Sequence, residues 1–461
     1  MSNVVASKLK KGEFDIDAAL DSVDLSFKNY KPSQQAFEFF AIIRVFFGED
    51  FEIASPKFHY FIVDMLFGNV KREEFPYSAD ICDKIKINPT RIGIIAARGT
   101  AKSTITTLFY PIYAAIKGET PITGKLSHML ILSDSQKGGA RDQALIMGNS
   151  VEKSKFAKEW FESIRYTESE VELVRKGNTP IEQRHILIKY KGAQTGGIRS
   201  GSRNPVTGDR YAIIIADDVI KNEAEAYSET IMHNVTTALT SDALNAMRAK
   251  KTQLVLINTP FHKKDPIYVM VESGMYTPLV IPICKKIDEH TEDSEFIGVW
   301  TDMHDYSSVM ERYLNAKGSN STRAFNQELM LRVANEEDRM VTDTMIQWYD
   351  RNLIMSLLDG YSLYVTTDFT TTSAAKSDFS ALAVWAVSSN NDYFLLDVCV
   401  RRQELGEQYN ELFRMVRTWS KGGRYLEVGI EVDGQQKAHL FNIKQMMQKQ
   451  NLFFSFARQK G

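Results

Sequence analysis

Five short apolar runs, at 91–96, 128–133, 185–190, 211–216 and 252–257, recur between about residues 90 and 265, with helix-like text between them. Apolar runs of this kind suit strands buried on both faces, and strands separated by helices pair in parallel. The pattern predicts an α/β fold: a parallel or mostly parallel sheet flanked by helices.

The first run carries the most chemistry. Residues 91–104 read RIGIIAARGTAKST. A strand ending near Ala96 meets a tight loop, Arg98-Gly99-Thr100-Ala101, and Lys102-Ser103-Thr104 opens a helix-like segment, Ile105 to Ile116. A strand, a loop and a helix led by Lys-Ser form a cradle for a nucleoside triphosphate. Loop N–H groups surround the phosphates, and the helix N-terminus favours their charge. Lys102 would reach the β- and γ-phosphates, and Ser103 would ligate Mg²⁺. The usual pattern, G-x-x-x-x-G-K-[ST], has Ala96 and Ala101 in place of its glycines here.

Residues 211–220 read YAIIIADDVI, a buried-strand run that ends in Asp217 and Asp218. Ligand-binding groups of open α/β sheets sit at the carboxyl ends of strands. The first acid can hold Mg²⁺ through water, and the second can orient or deprotonate an attacking water. The alternative is a strand followed by an Asp-rich turn. Glu223, at the start of the next helix, is a second candidate for activating water. The run 251–257 leads into Asn258-Thr259-Pro260 and then Phe261-His262-Lys263-Lys264-Asp265. Those polar residues could sense a γ-phosphate, or simply close a Pro-terminated strand.

The remaining text sets the organisation. With 461 residues, the chain has room for two to three domains. At 25% charged and 43% apolar residues it reads as globular, and it has no apolar run of transmembrane length. Cys82, Cys284 and Cys399 lack metal-ligand spacing and read as buried thiols of a reducing cytoplasm. The net charge of −2 excludes a globally basic nucleic-acid coat, though not a local basic groove. Residues 1–30 read as an N-terminal arm or short helices, and 33–66 as helical. A domain boundary is expected near 340.

A second sheet is expected from Tyr361. Strands at 361–367, 380–387 and 393–400 are joined by a polar loop and a tight turn, which suggests an antiparallel meander. A helix at about 403–420 and a strand at 425–431 follow. Asp368 and Glu431 fall near strand ends. Two carboxylates so placed can hold divalent metals for phosphodiester cleavage, or can be unrelated surface acids.

Taken together, ARGTAKST, IIIADDVI, LINTPFHKKD and the pair VTTDFTTTSAAKSDFSAL and VGIEVDG resemble the large terminase subunit of tailed bacteriophages, the motor and nuclease that packages DNA into capsids. The resemblance spans about 30 to 461. An Arg four residues before the motif Lys is frequent in that family, and Arg98 holds that place. Gly196-Gly197-Ile198-Arg199-Ser200-Gly201 also looks like a loop the family shares. The resemblance implies a P-loop ATPase domain at 31–340 and a ribonuclease H-like nuclease domain at 341–461. Arg98, Gly99, Thr100, Ala101, Lys102, Ser103 and Thr104 would bind ATP. Ser103 and Asp217 would serve Mg²⁺, and Asp218 would activate water. Asn258, Thr259 and Pro260 would couple hydrolysis to movement. Asp368 and Glu431, with Asp378 as an accessory acid, would hold Mg²⁺ or Mn²⁺ for the nuclease. Arg141, Arg199 and Arg203 are candidates for an arginine finger, which can act on a neighbouring subunit. The partners implied are double-stranded phage DNA, the portal protein of the procapsid, the small terminase subunit and further copies in a ring. No membrane is implied, and the expected location is the cytoplasm of the infected host.

The family's nuclease carries a third acid well downstream of the second. After Asp433 this sequence has no Asp or Glu, so its nuclease domain is expected to be incomplete. Two other functions fit parts of the text. One is a helicase-like DNA-stimulated ATPase, although no second motor domain is evident. The other is a nucleotide-binding assembly scaffold, against which Lys102-Ser103 and Asp217-Asp218 argue.

Overall fold

Gly93 lies in the strand Arg91–Ala96 (β1), where a side chain would collide with Val271 at 2.4 Å. Its absence lets the helix Pro266–Glu272 press onto the sheet. In this computed structural model the described residues are 14–48, 53–194, 198–263, 265–319, 321–333, 347–370, 379–430 and 437–457. The chain divides into two compact units, Met1–Met340 and Val341–Gly461.

The first unit is built on an eight-stranded, mostly parallel sheet. After β1 come His128–Ser133 (β2), Phe161–Tyr166 (β3), Glu170–Arg175 (β4), His185–Gly192 (β5), Ile213–Asp217 (β6), Gln253–Asn258 (β7) and Thr277–Ile281 (β8). Their order across the sheet is β8-β1-β7-β6-β2-β5-β4-β3. Every pair from β8 to β5 is parallel, whereas β4 pairs antiparallel with both β5 and β3. The five expected strands are all present. The acidic-pair strand starts at Ile213, two residues later than expected. The hairpin β3–β4 is an addition to the expected set, and the edge strand β8 falls within 266–340, where short strands mixed with amphipathic helices are expected.

Strands β6 and β7 are buried along their whole length, as their unbroken apolar runs require. Strand β7 lies between β1 and β6, in register Ile95 to Asn258 and Asp217 to Ile257. The carboxyl ends of these three strands therefore lie side by side. The segment after the loop begins with a wider-wound turn, Thr104–Phe109, and continues as the α-helix Tyr110–Lys117. Pro111 has no N–H to give back to the preceding turn, which accounts for the change of winding there.

The first thirty residues are not an arm where they are described. Ile16–Ser22 forms a helix, and Phe14, Ile16, Ala19, Leu20, Phe27 and Tyr30 are buried in the core of the unit. Tyr30 Oη and Ser33 N both donate to Asp64 Oδ2, at 2.6 and 2.9 Å. Burial of several large apolar side chains outweighs the charged, weakly patterned look of that text. The layer continues through the helices Gln34–Phe47 and Lys57–Phe67. Buried Gln253, at the start of β7, locks it to the sheet by donating to Leu66 O and Pro89 O at 2.9 and 2.8 Å.

The second unit holds a five-stranded sheet in the order β11-β10-β9-β12-β13: Ser362–Asp368 (β9), Ser380–Val387 (β10), Tyr393–Arg401 (β11), Leu426–Ile430 (β12) and Ser455–Phe456 (β13). The first three strands form an antiparallel meander, and β12 runs parallel to β9. The helix Leu405–Trp419 buries Tyr409, Leu412, Phe413 and Val416 in the core of this unit. No described helix is long and apolar enough to cross a membrane.

Candidate functional site

The loop after β1 is held from outside. Gly99 has φ +83° and Ala101 φ +56°, both left-handed. At the first, a Cβ would also come within 3.0 Å of His304 Nε2. At the second, alanine stands where glycine is favoured, at roughly 1–2 kcal/mol of backbone strain. Two imidazoles offset that strain: His59 Nε2 lies 3.0 Å from Thr100 O and His304 Nε2 lies 2.9 Å from Gly99 O. Burial pushes the His59 imidazole down to about 4, so it is neutral at pH 7. A carbonyl only accepts, so His59 carries its proton on Nε2. Trp300 packs edge-on against both rings. Within the loop, Thr100 Oγ1 donates to Ala97 O at 2.7 Å.

Lys102 follows at the mouth of the helix, only 5% exposed. Its Nζ donates to Thr259 Oγ1 at 2.9 Å, and Thr259 Oγ1 donates in turn to Ala96 O at 3.1 Å. Thr259 reaches this place because β7 is the neighbour of β1. Ser103 Oγ donates to Asp217 Oδ1 at 3.0 Å, across the top of β7. The other carboxylate oxygen, Asp217 Oδ2, accepts from Gln143 Nε2 at 3.2 Å. Asp218 leaves the strand at φ +45°, with its N–H on Ile257 O at 3.2 Å. Ser103, Thr104, Thr107, Gln143, Asp217 and Asp218 line a cavity of about 280 Å³.

The electrostatics follow from burial. The Asp217 carboxyl is pushed up to about 7, first because it is buried and second because Asp218 adjoins it; Lys102, Ser103 and Gln143 oppose the rise. Asp265 is likewise pushed up to about 7, mainly by burial. It accepts from Asn258 Nδ2 at 2.7 Å and caps the helix Pro266–Glu272 through the N–H of Ile267. Asn258 Oδ1 is buried with no partner among the described residues.

The structure thus brings Lys102, Ser103, Asp217, Asp218 and Thr259 to adjoining strand ends. Asn258 sits beside them and Pro260 follows in the chain. Arg98 is placed differently. Its Nη1 lies 3.0 Å from Glu328 Oε2, and its N–H donates to Glu328 O at 3.0 Å. This pair borders a second cavity of about 450 Å³ lined also by Gly99, Arg312 and Phe325. The pair is partly exposed and contributes at most about 1 kcal/mol. The three other arginines are engaged apart from Asp217. Arg141 pairs with Glu168 at 3.0 Å, Arg199 with Asp242 at 2.8 Å, and Arg203 donates to Gly208 O at 2.9 Å. Glu223 is the first residue of the helix Glu223–Tyr227.

In the second unit, Asp368 ends β9, with Thr367 in register with Ile430 of β12. Asp378 and Glu431 lie outside the described residues, as do Gly196, Gly197 and Lys264. Among the described residues no group of three or more His, Cys, Asp or Glu side chains is gathered as a metal would require. His59, His304 and Gln143 were not singled out by sequence reasoning. Only the SDSQKGGARDQ text after β2 hinted at Gln143, since a polar loop at a strand's carboxyl end is a place for ligands.

The class defined by this arrangement is an α/β unit with a buried lysine, a serine and a buried carboxylate gathered at the carboxyl ends of its central strands. Hard oxygen donors, Ser103 Oγ and the Asp217 carboxylate, meet there, and they fit Mg²⁺, which takes one or two carboxylates and completes its shell with water and phosphate.

No protein-family model matches the chain. No curated protein sequence matches it either. Among solved structures, the chain is similar to the HK97 bacteriophage large terminase, with a TM-score of 0.41 and 12% identity over 93% of this chain and 86% of that one. It is also similar to the ATPase domain of the Thermus phage P74-26 large terminase, with a TM-score of 0.32 and 13% identity over 58% of this chain and 95% of that one. At such scores none of these likenesses assigns a role to a residue of this chain.

Proposed function

We propose that the first unit binds and hydrolyses ATP, and that hydrolysis drives duplex DNA into a phage procapsid, as in a large terminase subunit. One observation carries the nucleotide reading: Lys102 Nζ, Ser103 Oγ and the Asp217 carboxylate converge beside a loop whose carbonyls are held outward by His59 and His304. In a trans peptide the N–H points opposite to its carbonyl, so the N–H groups of Thr100 and Ala101 face away from the two imidazoles, as donors to phosphate oxygens would. The motor reading rests on the ordered motifs of the sequence.

In this reading Lys102 leaves Thr259 for the β- and γ-phosphates and neutralises charge that grows as the terminal phosphoryl departs. Ser103 and Asp217 would hold Mg²⁺, which would supply charge neutralisation at the phosphates. Asp218 takes the proton of the attacking water. Thr259, freed of Lys102, and Asn258, bonded to Asp265, carry the change into the helix Pro266–Glu272. Arg98 exchanges Glu328 for phosphate. Arg141, Arg199 or Arg203 would act on the site of a neighbouring copy in a ring on the portal. The second unit would be a ribonuclease H-like nuclease, with Asp368, Asp378 and Glu431 around Mg²⁺ or Mn²⁺, acting on DNA delivered with the small subunit.

The test is phosphate release with and without duplex DNA. Lys102→Ala is expected to lower turnover at least about 100-fold while the chain stays folded. Turnover like that of the wild type in this variant removes the assignment.

A further inference from the structure

We infer that Gln143 is a positioning residue of the phosphate-side cavity: its amide nitrogen fixes Asp217, and its amide oxygen receives a hydrogen bond from a water held in that cavity. This rests on reading the cavity as the nucleotide site.

Gln143 is the third residue of the helix Arg141–Lys153. The approach to that helix is locked. Buried Asp134 accepts from Gly139 N at 3.0 Å, Ser135 Oγ at 3.1 Å and Ser133 Oγ at 3.2 Å. A Cβ on Gly139 would lie 2.1 Å from Ser133 Oγ, and one on Gly192 would lie 2.4 Å from Gln136 N. The chain between β2 and the helix therefore has one path, and that path delivers Gln143 to Asp217.

The orientation of the amide is fixed by its partner. Nε2 is the atom 3.2 Å from Asp217 Oδ2, and the ionised carboxylate, the form that meets a cation, can only accept from it. The amide oxygen then faces away, and Oε1 is buried without a hydrogen-bond partner among the described residues. A buried acceptor with no donor is disfavoured, and it is found where a water or ligand belongs. The adjoining cavity, about 280 Å³, has room for several waters. Its other polar walls, Ser103, Thr107, Asp217 and Asp218, supply the further partners a bound water needs. Gln143 Nε2 holds one oxygen of Asp217 while Ser103 Oγ holds the other, so the carboxylate has one rotamer in which to meet a hydrated cation. Neither task needs Gln143 to touch the phosphate. Both make the cation-dependent part of nucleotide binding depend on it.

The test uses the full chain and a fluorescent ATP analogue, titrated with excess EDTA and again with Mg²⁺, for wild type and Gln143→Met. Methionine keeps the length and apolar volume of the side chain and removes both polar atoms. The expected result is unchanged affinity in EDTA and a Mg²⁺-dependent gain reduced about tenfold or more. Gln143→Glu, which sets a carboxylate against Asp217, is expected to lose more of that gain. An intact Mg²⁺-dependent gain in Gln143→Met overturns the inference. Equal losses with and without Mg²⁺ show a packing role and also overturn it. A wild-type chain with no Mg²⁺-dependent gain overturns the nucleotide reading itself, and this inference with it.

Discussion

Replacing Asp217 by asparagine separates its burial from its charge. In the folded chain the carboxyl is pushed up to about 7, against 3.8 for an ordinary aspartate. Between pH 4 and pH 7 the folded chain keeps a proton that the unfolded chain has released. Stability from this group is therefore fully present below about pH 4 and is lost as pH rises to 7. Each pH unit in that window is worth about 1.4 kcal/mol. From pH 5 to pH 8 about two such units apply, so the wild type loses about 3 kcal/mol through Asp217. Asparagine keeps the shape, still accepts from Ser103, and has no proton to lose. At pH 5 the folded wild type is protonated and, like asparagine, sets no charge against Lys102; at pH 8 its charge does, and that attraction is already part of where the carboxyl titrates. The assay is hydrogen exchange in increasing urea, read on the peptide spanning Ile213–Ala216, which isolates the first unit from the second. With nucleotide and cation left out, the fall in stability from pH 5 to pH 8 should be about 3 kcal/mol larger in the wild type than in Asp217→Asn. Equal falls, within about 0.5 kcal/mol, would refute the account of a buried carboxylate strained by its neighbour.

Two further outcomes are expected. Asp218→Asn should bind ATP with nearly the wild-type affinity and hydrolyse it at least about 100-fold more slowly, because asparagine tolerates the left-handed backbone there but cannot take a proton; normal hydrolysis would pass the role to another acid such as Glu223. In the second unit, plasmid cleavage in Mn²⁺ should be weak and should vanish in Asp368→Asn, and cutting that survives this change would remove Asp368 from any metal site.

Local pattern made the central strands legible, since an unbroken apolar run such as IIIA at 213–216 has few other homes. It also made Lys102, Ser103 and Asp217 legible as candidates, because the first two open the helix-like segment after a strand and a short loop and the third closes a strand. What could not be read was neighbourhood. That β7 lies between β1 and β6, and so brings Thr259 under Lys102, is a matter of sheet order rather than of any residue near 259. Gln143 reaches Asp217 across 74 positions, and His304 reaches Gly99 across 205. Arg98 was read by spacing alone, and spacing is silent about Glu328. The first thirty residues misled because their charges are on view in the text while the burial of Phe14 and Phe27 is not.

The two imidazoles behind the loop bear on how this protein can be dissected. His59 comes from the helix Lys57–Phe67, ahead of β1, and His304 from a segment beyond β8. Every residue named as binding phosphate lies between 98 and 104, which invites a minimal fragment cut close around the sheet. Such a fragment would retain the whole signature and lose what holds its peptides in place, with Ala101 left to relax out of its left-handed turn. The smallest portion able to present this cradle is therefore nearly the whole first unit. The helix Lys57–Phe67 and the segment around His304 hold the loop in shape as much as its own residues do.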